Sequence, residues 1–93
     1  MYKIYKLIDP ISKQLKYIGI TKGNLTKRLI GHLNEAYTRK RIYSLKGVWI
    51  EELFEKQLIP IIELLEETGD ITREKYWIQL LKPELNIVHT KHS

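Results

Sequence analysis

The chain of 93 residues is 43% apolar and 29% charged, has no cysteine and carries a formal charge of +5. That size permits one modest core and leaves no room for a cofactor domain beside a substrate domain. The composition excludes a disordered or collagen-like chain, and the missing cysteines exclude disulfides and thiolate chemistry.

Residues 2–8 and 14–20 are rich in Ile, Leu and Tyr with polar residues interleaved, which predicts two short strands. Asp9-Pro10-Ile11-Ser12-Lys13 has turn chemistry, so the pair reads as an antiparallel hairpin. A turn centred on Ile11 would set Tyr5 opposite Tyr17, on one face of the sheet. Asn24 is the expected N-cap of a helix over 25–38, along which Leu25, Leu29, Leu33 and Ala36 recur at helical spacing. Arg28 and His32, four apart, share one side of it beside the apolar stripe. Thr38-Arg39-Lys40-Arg41 would give that helix a basic end.

A second helix is predicted over about 46–57, with Val48, Trp49, Glu52, Leu53 and Lys56, although Gly47 blurs its start. After Pro60, the run Ile61-Ile62-Glu63-Leu64-Leu65 fits a third strand by length, with a continued helix as the competitor. Asp70 or Thr72 would cap a last helix over 72–82, with Trp77, Leu80 and Leu81 facing the core and Lys82-Pro83 ending it. Glu74 falls in its first turn. The tail from about residue 87 has no periodicity and is expected to fray. The expectation is therefore an α+β fold in one domain over 1–93. A small three-stranded antiparallel sheet would be flanked by three helices in the order β-β-α-α-β-α.

Charge divides unevenly along the chain. Residues 1–46 hold 11 Lys and Arg against 2 Asp and Glu, a balance of +9, whereas residues 47–93 hold 5 against 9, a balance of −4. A basic half backed by an acidic one predicts a face turned to a polyanion. No apolar run approaches the ~20 residues that span a bilayer, and residues 1–6 lack a signal-peptide block. The expected setting is cytoplasmic or otherwise intracellular, with no membrane partner.

Few residues can carry chemistry. There is no nucleophile elbow and no glycine-rich phosphate loop. His32, His89 and His92 lack the compact spacing of a zinc site, and the last two read as surface residues. Arg28 can grip a phosphate through its fork, His32 can exchange protons near neutral pH, and Glu74 can hold magnesium through a carboxylate. Tyr5 and Tyr17 can serve as packing aromatics or as hydroxyl donors. Each also has an ordinary reading as a surface or core side chain.

Taken together, these residues resemble a known pattern. Ile4-Tyr5-Lys6-Leu7, followed by Lys16 and Tyr17-Ile18-Gly19-Ile20-Thr21, is similar to the paired signature of the GIY-YIG nuclease superfamily. Arg28 and His32 match its arginine and the histidine four residues on, and Glu74 with Trp77-Ile78 matches its metal-binding glutamate. Pro83-Glu84-Leu85-Asn86 matches its closing proline and asparagine. The resemblance spans about residues 2–88. One departure is that Lys3 stands where the first signature has glycine; it keeps the strand possible and brings a positive charge near the substrate.

What the resemblance implies is hydrolysis of a DNA phosphodiester with one divalent metal, Mg2+, with Mn2+ able to substitute. Glu74 would hold the metal, and the metal with Arg28 would neutralise charge on the phosphate. Tyr5 resembles the proposed general base, which needs cations to lower its pKa, and His32 would relay its proton or order the water; the resemblance leaves tyrosine against histidine open. Tyr17 would position a phosphate or water, and Asn86 would orient the glutamate or tyrosine network. Gly19 is expected to permit close packing of its strand on the Arg28 helix. Lys3, Lys16, Lys22, Lys27, Arg39, Lys40 and Arg41 are candidate phosphate contacts.

The chain looks like the stand-alone and phage-type members, including the catalytic half of homing endonucleases. Nothing after residue 82 could serve as a second DNA-binding domain. The expectation is an excised catalytic domain served by a missing domain or partner, or a nuclease reading DNA structure in repair or recombination. A catalytically silent nucleic-acid-binding module is the other alternative. Oligomeric state is open.

Overall fold

The computed structural model describes residues 1–38 and 44–87. Strand β1 (Tyr2–Ile8) lies between β2 (Leu15–Thr21) and β3 (Ile61–Thr68), and both pairings are antiparallel. The helices are α1 (Leu25–Thr38), α2 (Leu45–Glu55), α3 (Thr72–Leu81) and the short α4 (Glu84–Ile87). The α+β expectation holds, with α4 as a fourth helix that the sequence reading lacked. Four residues are too few to produce a helical period.

The hairpin forms, but its register differs from the expected one. Leu7 lies opposite Tyr17, and Tyr5 lies opposite Gly19. Two features cause this. The Asp9 side chain accepts from the Ile11 and Ser12 amides, and Asp9 and Lys13 close a backbone turn with Lys13 at φ 65°. The ladder then shifts between Leu7 and Ile8, leaving Lys16 as the extra residue on β2. Tyr5 and Tyr17 still share a face, as a diagonal pair.

One face of the sheet carries the main core. Tyr5 and Leu7 of β1 pack there with Ala36 of α1, with Trp49, Ile50 and Leu53 of α2, and with Leu85 of α4. Leu25, Leu29 and Leu33 lie against that core, as their spacing predicts. Asn24 caps α1 by accepting from the Thr26 and Lys27 amides. Ser44 caps α2 by accepting from the Gly47 amide, which places the glycine inside the helix. Trp49 donates its indole N–H to Asp9, tying α2 to the hairpin turn and helping to hold that carboxyl below the usual range.

Helix α3 behaves differently from its prediction. It buries no residue, and Leu80 and Leu81 are exposed rather than core-facing. Its early turns carry a polar tie to β3. The Glu66 carboxylate of β3 accepts from Arg73 Nε at 3.0 Å and from Trp77 Nε1 at 2.8 Å. The half-buried stripe is therefore Arg73, Glu74, Trp77 and Ile78, and the two leucines fall beyond it. Asp70 does cap the helix, accepting from the amide and hydroxyl of Thr72. Lys82 closes it in the left-handed conformation at φ 49°, immediately before Pro83.

Candidate active site

The central residue is Tyr5. Its side chain lies across Gly19, where a Cβ would stand 2.5 Å from Tyr5 Cζ. The glycine thus makes room for the tyrosine ring, not for the Arg28 helix as expected. The apolar stripe presses α1 onto this face and brings Arg28 and His32, each one residue before a stripe leucine, to the Tyr5 hydroxyl. Tyr5 Oη is 2.7 Å from His32 Nε2, and Arg28 Nε donates to the same oxygen at 3.1 Å. Tyr5 and His32 are buried, with 0% and 1% exposure, whereas Arg28 is otherwise exposed.

Protonation follows from these contacts. The Tyr5 oxygen accepts from Arg28 and can donate its own proton to His32 Nε2 in the tautomer that carries the imidazole proton on Nδ1. His32 must then be neutral. Burial holds its pKa down to about 3, with the charges of Lys46 and Arg28 adding to the effect. Nδ1 is itself buried with no partner among the described residues. Burial also raises Tyr5 to about 12, against the opposing pull of Arg28. Arg28 pulls this tyrosine down as expected of a cation, but desolvation outweighs the guanidinium. Burial therefore disfavours transfer of the phenolic proton to His32 in the resting site. The resting pair is a neutral phenol donating to a neutral imidazole.

Tyr17 stacks edge-on against His32, with ring centroids 5.6 Å apart at 76°. Its hydroxyl has no hydrogen-bond partner among the described residues, and burial, then the charge of Glu74, raises its pKa. Glu74 lies in the first turn of α3 and is half-buried. Its carboxyl is raised by burial alone, and its field reaches both tyrosines. Among the described residues it has no hydrogen-bond or ion-pair partner. A desolvated carboxylate without a counter-charge fits a cation. No group of three or more His, Cys, Asp or Glu gathers among the described residues. One carboxylate falls short of the three or four protein ligands of a zinc site and leaves room for a hydrated cation.

The other predicted residues divide. Asn86 does not reach Glu74 or the tyrosines. Its side-chain amide accepts from Ile18 N at 2.7 Å and donates to Ile18 O at 2.9 Å. It braces the free edge of β2 between Tyr17 and Gly19, because an edge strand leaves those backbone groups unpaired. Lys16, pushed out by the bulge, is committed to Glu84 at 3.1 Å. Lys22 and Lys27 are exposed, Lys22 over the Tyr2 ring at 5.1 Å. Lys3 is half-exposed and alternates onto the Tyr5 face. Arg39, Lys40 and Arg41, like His89, His92 and the tail, lie outside the described residues.

Two residues were missed. Lys46 of α2 holds its ammonium 4.8 Å above the Tyr17 ring and 3.6 Å from Glu35 of α1. The only sequence signal was a cation in the first turn of a helix, where the dipole disfavours it.

No helix among the described residues is long and apolar enough to cross a membrane. A family model described as the GIY-YIG catalytic domain matches residues 1–86. No curated protein and no solved structure gives a significant match.

Proposed function

The chain belongs to the GIY-YIG catalytic-domain family, a family of nucleases, and from that premise we propose that it is a divalent-metal-dependent endonuclease hydrolysing a phosphodiester bond in DNA. The observation that carries the reading is the buried Tyr5–His32 pair, hydrogen-bonded to the exposed Arg28 and set within the electrostatic reach of an unpaired, half-buried Glu74. A protein surface that only binds nucleic acid has no use for a carboxylate there, which repels phosphate. The basic half of the chain also builds this site, since β1, β2, α1 and Lys46 all lie within residues 1–46.

In the proposed reaction a water oxygen joins phosphorus as the bond to the leaving oxygen breaks. The water gives one proton to Tyr5 Oη while Tyr5 passes its own to His32 Nε2, which requires substrate binding to admit that water to the buried hydroxyl beside Arg28. This relay never forms a free phenolate, which burial makes costly. His32 is a weak acceptor at rest, and an anionic phosphate bound at Arg28 would offset the guanidinium charge that weakens it. The exposed part of Arg28 grips the phosphate and offsets charge that develops on it. The leaving oxygen takes a proton from solvent. Glu74 would hold the divalent ion, Mg2+ or Mn2+, which supplies Lewis-acid stabilisation of the phosphate and leaving group.

The test is conversion of supercoiled plasmid to nicked or linear DNA in magnesium and in EDTA. Wild type is compared with Glu74→Ala and Arg28→Ala at matched circular dichroism. Metal-dependent cleavage lost in both variants is expected. A wild type inert with magnesium and manganese, on plasmid, branched and single-stranded DNA, would overturn the reading in favour of a binding module.

A further inference from the structure

We propose that Lys46, braced by Glu35, is a positioning residue of this site: its ammonium caps the Tyr17 ring and so fixes the edge-on stack in which His32 meets Tyr5. The contacts run in one line across four elements. Glu35 of α1 lies 3.6 Å from Lys46 Nζ of α2. Nζ stands 4.8 Å above the centre of the Tyr17 ring on β2. Tyr17 meets His32 edge-on at 5.6 Å, and His32 meets Tyr5 of β1 edge-on at 5.8 Å and by the 2.7 Å hydrogen bond.

Three features separate Lys46 from a phosphate-binding lysine. Its side chain is only 16% exposed, while Lys22 and Lys27 stand in water. Its first-turn position opposes the dipole of α2, so its placement needs the Glu35 carboxylate and the π-face of Tyr17. Burial lowers its pKa and Glu35 opposes that, which keeps the cation at the ring. The charge also acts on His32. The ionisable groups facing that imidazole are Tyr5, Tyr17, Arg28 and Lys46; Glu35 acts on Lys46, Arg28 and Tyr17, and Glu74 on the two tyrosines. Of these, Lys46 and Arg28 are the cations that disfavour an imidazolium. Lys46 thus holds the ring geometry that the relay needs and keeps His32 a neutral acceptor at rest. The catalytic consequence rests on the nuclease reading, whereas the ring geometry does not.

The experiment compares Lys46→Met, which keeps the stem without the charge, with Lys46→Arg, which keeps charge and ring contact. Three quantities are read: plasmid-nicking kcat and KM, the salt dependence of DNA affinity, and the NMR signals of the Tyr17 and His32 rings as pH falls. A positioning role predicts that Lys46→Met lowers kcat about tenfold at unchanged KM. The Tyr17 ring signals shift, His32 begins to titrate at higher pH, and Lys46→Arg restores each. A phosphate contact predicts instead a weaker affinity and a salt slope smaller by about one, with kcat and the ring signals intact; that result overturns the proposal. If wild type cuts no DNA, the nuclease reading fails, and the NMR comparison still decides: unmoved Tyr17 and His32 signals overturn the positioning role. Should Lys46→Met not fold, Lys46→Gln carries the same comparison.

Discussion

The two sides of the site are built on opposite plans. On the α1 side the polar groups are sealed and joined: Tyr5 and His32 are buried, and one hydroxyl serves both His32 and Arg28. On the α3 side a helix that buries nothing holds Glu74 half-buried and unpartnered among the described residues. The first arrangement lacks a partner only at His32 Nδ1, whereas the second leaves a whole carboxylate without one among the described residues. Groups that handle protons need a fixed low-dielectric setting. A carboxylate that receives a hydrated cation needs access and an unsatisfied charge.

The sharpest way to break this contrast is Glu74→Ala. Nicking should fall by about 10³-fold or more. The urea midpoint should hold or rise, because a desolvated carboxylate without a partner is removed. A clear loss of stability would make Glu74 structural and dissolve the comparison.

Tyr5→Phe tests the sealed side. Nicking should drop about 10²-fold or more, and stability by roughly 1–3 kcal/mol, since His32 Nε2 and Arg28 Nε lose their shared partner. Tyr17→Phe should change stability by less than about 0.5 kcal/mol, because its hydroxyl has no partner among the described residues. Equal losses from the two would remove the distinction.

Acid titration sharpens the same point. The folded pKa of His32 is depressed to about 3 from 6.5, so between those values the unfolded chain binds more protons. Its contribution is full above pH 6.5 and is lost as pH falls toward 3, by a few kcal/mol. Urea unfolding at pH 7, 5.5 and 4 should show this fall, and His32→Gln should flatten it. A pH-independent wild type would mean that the imidazole is not sealed.

Gly19→Ala should cost roughly 1–3 kcal/mol through overpacking against Tyr5. Asn86→Ala should cost about 1 kcal/mol by unpairing the Ile18 backbone. It should leave the pH dependence of nicking unchanged, since Asn86 touches no titrating group. A moved pH profile would return Asn86 to the tyrosine network.

Much of this was legible in the chain, because local physics and spacing carry it. The alternation of residues 2–8 produced β1, the Leu25–Ala36 period produced α1, and Asn24 capped it. The interval of four between Arg28 and His32 put both on Tyr5 once α1 lay on the sheet. Leu80 and Leu81 misled because their types suit a core, and only the Glu66 contacts to Arg73 and Trp77 show which face α3 presents. The bulge at Lys16 likewise moved Tyr17 from opposite Tyr5 to the diagonal.

The sequence by itself determined the α+β order, the basic half and a candidate set of side chains that includes Tyr5, Arg28 and His32. These depend on residue type and on separations along the chain, and both are local. Only the tertiary structure decided the proton states of Tyr5 and His32, the place of Lys46 and the use of Asn86. Burial and long-range contact set those, and neither is a property of a residue and its neighbours in sequence.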